Sequence, residues 1–176
     1  MGGDTFVTRL VGNRVILRPF REEEFDLALA REPSEDAERR QVRRRRLELS
    51  GTRTAWELMF AVEAGDRLVG DIQARCSDQA MPPGVWEVGI DLWAEADRGQ
   101  GIGSEAVTLL TAHLFAREGA HRVQATTDVD NVAMRRSLER CGFAFEGVLR
   151  GFMPTGDGLA RDHAMYATTT GDRGSR

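Results

Sequence analysis

The apolar positions divide the chain into short runs with a period of two and a few longer runs with a helical period. Residues 8–19 alternate through Val15 and Leu17 and predict a first strand, ended by Pro19. Residues 21–31 set Phe25, Leu27, Ala28 and Leu29 among carboxylates, as a short amphipathic helix stopping before Pro33 does. Ser34 is placed to cap a second helix, with Asp36 in its first turn, that runs to about Leu49 and stops at Gly51. Residues 56–63 and 68–76 read as strands joined by the hairpin turn Ala64-Gly65-Asp66-Arg67. A loop over 77–84 leads into an apolar, β-branched run (Val85, Val88, Ile90, Leu92), which makes a third antiparallel strand.

After these three strands comes the glycine-spaced stretch Arg98-Gly99-Gln100-Gly101-Ile102-Gly103. A long helical pattern then covers 102–117, with Ala106, Leu109, Leu110, Leu114 and Phe115 on one face and Gly119 just past its end. Strand, glycine loop and helix in that order aim backbone N–H groups and a helix dipole at an anion. Without a Cβ the loop can approach a phosphate closely. It is not a P-loop, because no Gly-Lys-Ser/Thr comes after it and the chain has no lysine. Nor is it a dinucleotide fingerprint, since the spacing is G-x-G-x-G and about half the chain precedes it. A tight strand-to-helix turn with incidental glycines is the plainer alternative. Downstream, 121–127 reads as a strand, 128–131 as a turn capping a helix that ends at Cys141-Gly142, and 143–149 and 161–168 as strands. The intervening 151–158 reads as a loop and 171–176 as a mobile polar tail.

Composition narrows the class. With 30% charged and 41% hydrophobic residues the chain is that of an ordinary globular protein, and 176 residues suit one domain. No apolar run approaches the roughly 18 to 20 residues of a membrane span. No signal-peptide pattern opens it, and Cys76 and Cys141 have no metal-ligand spacing, which together predict a reduced, cytoplasmic protein. A net charge of −4 argues against general nucleic-acid binding. All 24 basic residues are arginine, which excludes a catalytic lysine. Arg39, Arg40, Arg43, Arg44, Arg45 and Arg46 crowd one window. They read either as a solvated helix face balanced by nearby acids or as a dock for an acidic partner: a carrier protein, an acidic substrate or RNA.

Several stretches, in order, resemble the Gcn5-related N-acetyltransferases. These are the element order β-α-α-β-β-β-α-β-α-β-β, with R-G-Q-G-I-G between the fourth strand and the third helix. N-V-A-M-R-R-S-L-E-R-C-G-F and then E-G-V-L-R-G, the closing R-D-H-A-M-Y and the opening R-V-I-L-R-P-F-R-E-E-E-F look like the branch that includes the ribosomal-protein N-terminal acetyltransferases. The resemblance spans about residues 8–168. It implies one domain there between tails at 1–7 and 169–176. The implied fold is α/β (α+β): a mixed, mostly antiparallel seven-stranded sheet, splayed between strands 4 and 5, with about four helices.

It further implies acetyl-CoA, or another acyl-CoA, as acyl donor, with no metal. The pantetheine arm would lie in the splay with backbone contacts from Leu92 and Trp93. The pyrophosphate would be held by Arg98, Gly99, Gln100, Gly101, Ile102, Gly103 and Ser104. Asn131 matches the family asparagine beside the cofactor, a role compatible with a helix N-cap, and Arg140 sits where a basic residue lies near the nucleotide phosphates. The implied reaction is direct attack of an amine on the thioester, which needs a base, a polarised carbonyl and a tolerated thiolate. Glu87, in W-E-V-G-I, matches the family's E-x-G strand and is the first candidate base; an exposed strand carboxylate is its other reading. Asp91 is the alternative base and shares the face of Glu87 if the strand is regular. His163 lies within R-D-H-A-M-Y, as a base or as a structural residue. The positions where family members carry a serine or tyrosine acid hold Met134 and Leu138, which leaves Ser137 as a substitute donor or an incidental serine. The interval from Glu87 to Gly99 is one residue longer than the family's and lacks its proline, and a β-bulge is the expected remedy.

The acceptor is then a primary amine of a small molecule or a protein N-terminus, in a pocket built by the first two helices and the loops at 77–84 and 151–158. Two other readings keep the fold. In one, an acidic carrier protein docks on the arginine cluster; in the other, the chain is a CoA-binding or docking module without activity. Dimers are frequent in the resembling branch, so a homodimer is a further expectation.

Overall fold

In the computed structural model, which describes residues 8–77 and 81–173, the first predicted strand is two. β1 (Leu10–Val11) reverses through Gly12–Asn13–Arg14, closed by Gly12 N–H on Val15 O at 2.8 Å, and β2 (Ile16–Arg18) pairs back against it. That split makes the sheet eight-stranded, not seven-stranded. A short 3-10 turn (Glu22–Glu24) leads into α1 (Phe25–Ala30) and α2 (Ala37–Glu48). The N-cap of α2 is Asp36 rather than Ser34: its carboxylate accepts from Glu38 and Arg39 N–H, and Ser34 Oγ accepts from Asp36 N–H.

β3 (Glu57–Ala64) and β4 (Arg67–Arg75) form the expected hairpin around Gly65 and Asp66, both left-handed (φ 56° and 59°) as a two-residue primed turn requires. Next in the chain are β5 (Val85–Leu92), a 3-10 turn (Glu95–Asp97), α3 (Ile102–Arg117), β6 (Arg122–Asp128) and α4 (Val132–Arg140). β7 (Ala144–Pro154) and β8 (Ala160–Thr169) end the sheet. β7 runs well into the stretch that reads as a loop at 151–158. Residues 170–173, expected in the C-terminal tail, form a last helical turn, α5 (Thr170–Arg173), which gives five α-helices among the described residues where about four were expected. The predicted tails at 1–7 and 174–176, and residues 78–80 of the 77–84 loop, lie outside the described residues.

The sheet order is β1-β2-β3-β4-β5-β6-β8-β7, antiparallel throughout except for β5 against β6. α3 and α4 cover one face. There Ile102, Ala106, Val107, Leu110, Leu114 and Leu138 pack on Phe60, Val62, Ile72, Trp86, Val88, Val123 and Tyr166. α1 and α2 cover part of the other face with a smaller cluster of Phe20, Phe25, Ala28, Leu47, Met59 and Ala61. β3 lies between both clusters, which is why its sequence runs apolar almost without alternation.

A buried ion network ties the N-terminal strand to this second layer. The Arg18 guanidinium, 6% exposed, donates to Glu63 (2.6 Å) and with two nitrogens to Glu24 (2.6 and 2.8 Å). Burial alone would raise the Glu24 pKa, but the bonds from Arg18 and from Arg21 N–H outweigh it and hold the carboxyl below its ordinary range.

Candidate active site

β5 and β6 part company after three residues. They are paired at Val85↔Arg122, Trp86↔Val123 and Glu87↔Gln124, and then β5 runs on beside β4 while β6 runs on beside β8. The result is a fork that opens toward the C-terminal ends of both strands. Its closed end is pinned by Gln124 Nε2 donating to Glu87 Oε2 at 3.3 Å.

The register says which backbone groups line the fork. Residues opposite each other in an antiparallel pair alternate between bonded and non-bonded positions. Trp93 N–H donates to Val69 O at 3.0 Å, so odd-numbered residues of this stretch turn their backbone toward β4. Val88, Ile90 and Leu92 turn theirs toward the fork. Trp93, expected to contact the pantetheine arm, therefore has its N–H committed to Val69 and its carbonyl to Arg31 Nη2 at 2.7 Å. The Leu92 carbonyl is held by the Arg98 guanidinium, with the shorter contact at 3.1 Å, which leaves the Leu92 N–H facing the fork. The expected bulge is not in this strand: β4 and β5 stay in register from Arg75↔Glu87 to Gly70↔Leu92. A register shift does occur one strand over, between β3 and β4 at Val62/Glu63, and β5 is followed by the Glu95–Asp97 turn.

At the open end of the fork stands the glycine loop. Gly101 is the N-cap of α3 with φ 84°, a conformation that only glycine adopts without strain, and it aims the first N–H groups of the helix outward. Gln100 Nε2 donates to Ala96 O, and Gln100 O accepts from Arg14 Nη1 at 2.9 Å. Arg14 opens the R-V-I-L-R-P-F stretch, but nothing in that stretch ties it to the loop, because only the β1–β2 reversal brings it there. Beside the loop is a cavity of about 440 Å³ lined by Asn13, Ser104, Thr108, Leu109, Arg140 and Cys141, among others. Ser104 and Arg140 are thus brought together. Arg140 Nη2 also donates to Ser137 Oγ at 3.3 Å, which ties Ser137 to this side of the molecule. Asn131 is the N-cap of α4, its side chain accepting from Met134 N–H at 3.1 Å. Met134 packs against the main core and Leu138 is fully buried in it.

The opposite face of the fork carries the titratable groups. Glu87 and Asp91 do share it, since β5 is regular. Glu87 Oε1 accepts from Arg75 at 2.9 Å. Directly across from Asp91 in register is Asp71 of β4, which no sequence motif marks. Its Oδ2 accepts from Trp93 Nε1 at 3.0 Å. Burial pushes the Asp71 carboxyl up; the Trp93 bond opposes this, Asp91 adds to it, and Arg43 and Arg46 pull the other way, for a net upward shift. On the far lip, Gln124, Thr126 and Asp128 of β6 share the face with Met165 and His163 of β8.

The arginine cluster is not a bare basic surface. Arg39 meets Asp36, Arg40 donates to Ser34 O, Arg43 pairs with Glu32, Arg44 and Arg45 with Glu48, and Arg46 binds Glu57 and Gln73. Two cavities of about 920 and 760 Å³ flank α2, lined by these arginine stems with Val42 and Trp56 or Leu29. Among the described residues no helix is long and apolar enough to cross a membrane, and no three His, Cys, Asp or Glu side chains gather as metal ligands.

The forked β5/β6 pair thus leads to a glycine-capped helix whose first N–H groups point outward. Residues 14–144 match the acetyltransferase (GNAT) domain family, and the chain belongs to it. Of curated proteins, it is similar to the probable N-acetyltransferase YjcK of Bacillus subtilis, 33% identical over 78 residues, which is 44% of this chain and only 42% of that protein. Of solved structures, it shares the fold of Mycobacterium smegmatis RimJ in complex with CoA-disulfide (TM-score 0.75, 22% identity, 96% of this chain and 90% of that one). It also shares the fold of RimL, the ribosomal L7/L12 alpha-N-protein acetyltransferase, in complex with coenzyme A (TM-score 0.71, 20% identity, 92% and 98%).

Proposed function

We propose that this chain transfers an acetyl group from acetyl-CoA to a primary amine, on a small molecule or a protein N-terminus, by direct attack. The observation that carries this is the alignment of the fork with the α3 N-terminus. The fork closes at the Glu87 rung, and the chain that leaves its open end caps α3 at Gly101, where outward N–H groups suit a phosphate. The name of RimL, a ribosomal alpha-N-protein acetyltransferase, supports the N-terminal acceptor.

In this reading the loop from Arg98 to Ser104 holds the pyrophosphate on backbone N–H groups, and Arg14 and Arg140 supply positive charge. Asn131 caps the helix beside the pantetheine arm. The fork-facing N–H groups of Val88, Ile90 and Leu92 hold the arm and polarise the thioester carbonyl. Glu87 takes the ammonium proton, with Asp91 as the alternative base on the same face. The departing thiolate is a good leaving group, since an ordinary thiol has a pKa near 8.5.

Calorimetry and a thiol-release assay test this together. Gly101→Glu places bulk and negative charge at the phosphates and should abolish CoA binding. Glu87→Gln should leave CoA binding intact and lower kcat about 10²-fold or more. The Arg75–Glu87 pair is half exposed on the Arg75 side, so its loss costs less than about 1 kcal/mol and does not confuse the assay. Wild-type protein that binds no CoA refutes the proposal.

A further inference from the structure

Once an amine has attacked the thioester, the nitrogen must shed a proton and the leaving sulfur must gain one. α4 offers little for this. Met134 and Leu138 carry no exchangeable proton, and Ser137 Oγ is engaged by Arg140 beside the cavity at the α3 N-terminus. The strand beyond the far lip of the fork carries a group that does exchange protons, the imidazole of His163.

Extending the β5/β6 register past its last paired rung sets Asp91 level with Asp128, so these two positions face each other where the strands have separated. Asp128 is the cross-strand partner of His163, and its carboxylate is already bound to Asp130 N–H (2.9 Å) and Arg161 (3.0 Å). The residues after Asp128 turn straight into α4, while His163 stands on the face of the sheet that carries Asp128 and Glu87, opposite the one α4 packs on. The imidazole Nδ1 is buried and has no hydrogen-bond partner in the protein. Native structures rarely leave such an atom unpaired without a reason.

β7 is also distorted here. Leu149 pairs with His163 and Met153 with Arg161, so four steps along β7 span two along β8. Gly151 N–H is pinned to Asp162 Oδ1 at 2.7 Å, and Phe152 is delivered onto the imidazole with ring centroids 5.4 Å apart. Bulges of this kind recur beside active sites, where they re-aim a side chain. The charged groups around the ring are Asp128 on β6 and its partner Arg161 on β8; β7 contributes Leu149 and Phe152, which do not titrate.

We propose that His163 is the proton relay of the transfer. As the C–N bond forms, the imidazole takes a proton from the attacking nitrogen. As the C–S bond breaks, it delivers that proton to the sulfur, and it ends in the protonation state in which it began. Glu87 keeps the earlier task of removing the ammonium proton. This inference rests on the acyl-transfer reading above.

His163→Ala and His163→Asn should be assayed by thiol release from acetyl-CoA with small aliphatic amines and free-N-terminus tetrapeptides, with and without added imidazole. CoA affinity and thermal midpoint are measured alongside. Both variants should lose about 10²-fold or more in kcat at unchanged CoA affinity. Imidazole should restore His163→Ala at least tenfold, and His163→Asn, whose side chain fills part of the space, much less. Activity within threefold of wild type in either variant overturns the relay. So does a loss that imidazole does not answer, or one matched by a fall in thermal midpoint and CoA affinity, which marks a structural histidine. Wild type without turnover on any of these amines overturns the acyl-transfer reading itself, and the relay with it.

Discussion

Removing Glu63 tests whether the buried ion network fastens the N-terminal strand and the α1 layer to the sheet. Glu63→Ala takes from Arg18 its 2.6 Å partner while leaving the guanidinium 6% exposed. Breaking a buried pair from one side costs about 3–5 kcal/mol, because the remaining charge stays desolvated. Arg18 retains both bonds to Glu24 and one to Pro19 O at 2.9 Å, which puts the cost at the lower end, about 3 kcal/mol. For a chain of this length each kcal/mol lowers the melting temperature by about 2–4 °C, so a drop of about 6–12 °C is expected. Thermal unfolding monitored by circular dichroism reads this directly. Glu63→Gln, which keeps an acceptor for Arg18 Nε, should fall markedly less. CoA affinity should hold in both, because the glycine loop proposed to hold the pyrophosphate caps α3, on the other side of the sheet. A shift under about 2 °C for Glu63→Ala would mean that the network contributes little and that burial of Phe20 and Phe25 alone holds this layer.

The shifted carboxylates carry two further expectations. Asp71 has its pKa raised in the folded protein, chiefly by burial, so ionising it opposes folding, and stability from this group is lost as pH rises through the folded pKa. Asp71→Asn, which still accepts from Trp93, should therefore melt higher than wild type at neutral pH, with the difference vanishing below the ordinary aspartate pKa of about 3.9; equal melting at neutral pH would contradict it. Glu24 is the opposite case. Its pKa is depressed, so its contribution is present above the ordinary glutamate value of about 4.3 and is lost as pH falls through the folded pKa. Melting temperature measured downward from pH 5 should drop more steeply in wild type than in Glu24→Gln, and parallel curves would show that the Arg18 bonds do not carry the acid sensitivity.

Much of this architecture is written locally. The period of two through residues 68–76 and 85–92, the 3.6 period through 102–117 and the glycine spacing after Arg98 are short-range signals, and each produced its element close to the predicted place. Glu87 and Asp91 could be set on one face from strand periodicity alone. Asn131 could be read as a cap from its place before a helical run. The eighth strand could not be read, because β1 is two residues long and exists only through its bonds to β2. Asp71 gave no local sign either. It is one polar position in an alternating strand, and what sets it apart comes from Trp93, Asp91, Arg43 and Arg46, which lie 20 or more residues away in sequence. The same holds for the six arginines, whose acids come partly from β3 and from the α1–α2 connection.

The sequence by itself determined the longer strands and helices and the left-handed turn at the α3 N-terminus, because backbone preference and glycine freedom act over a few residues. The tertiary structure alone decided that β5 and β6 separate after Glu87, that Arg14 reaches the glycine loop, and that Phe152 and Asp128 meet at His163. Those outcomes depend on which strand each edge finds as its neighbour, and strand pairing is settled by long-range burial and register, not by the residues of either strand alone.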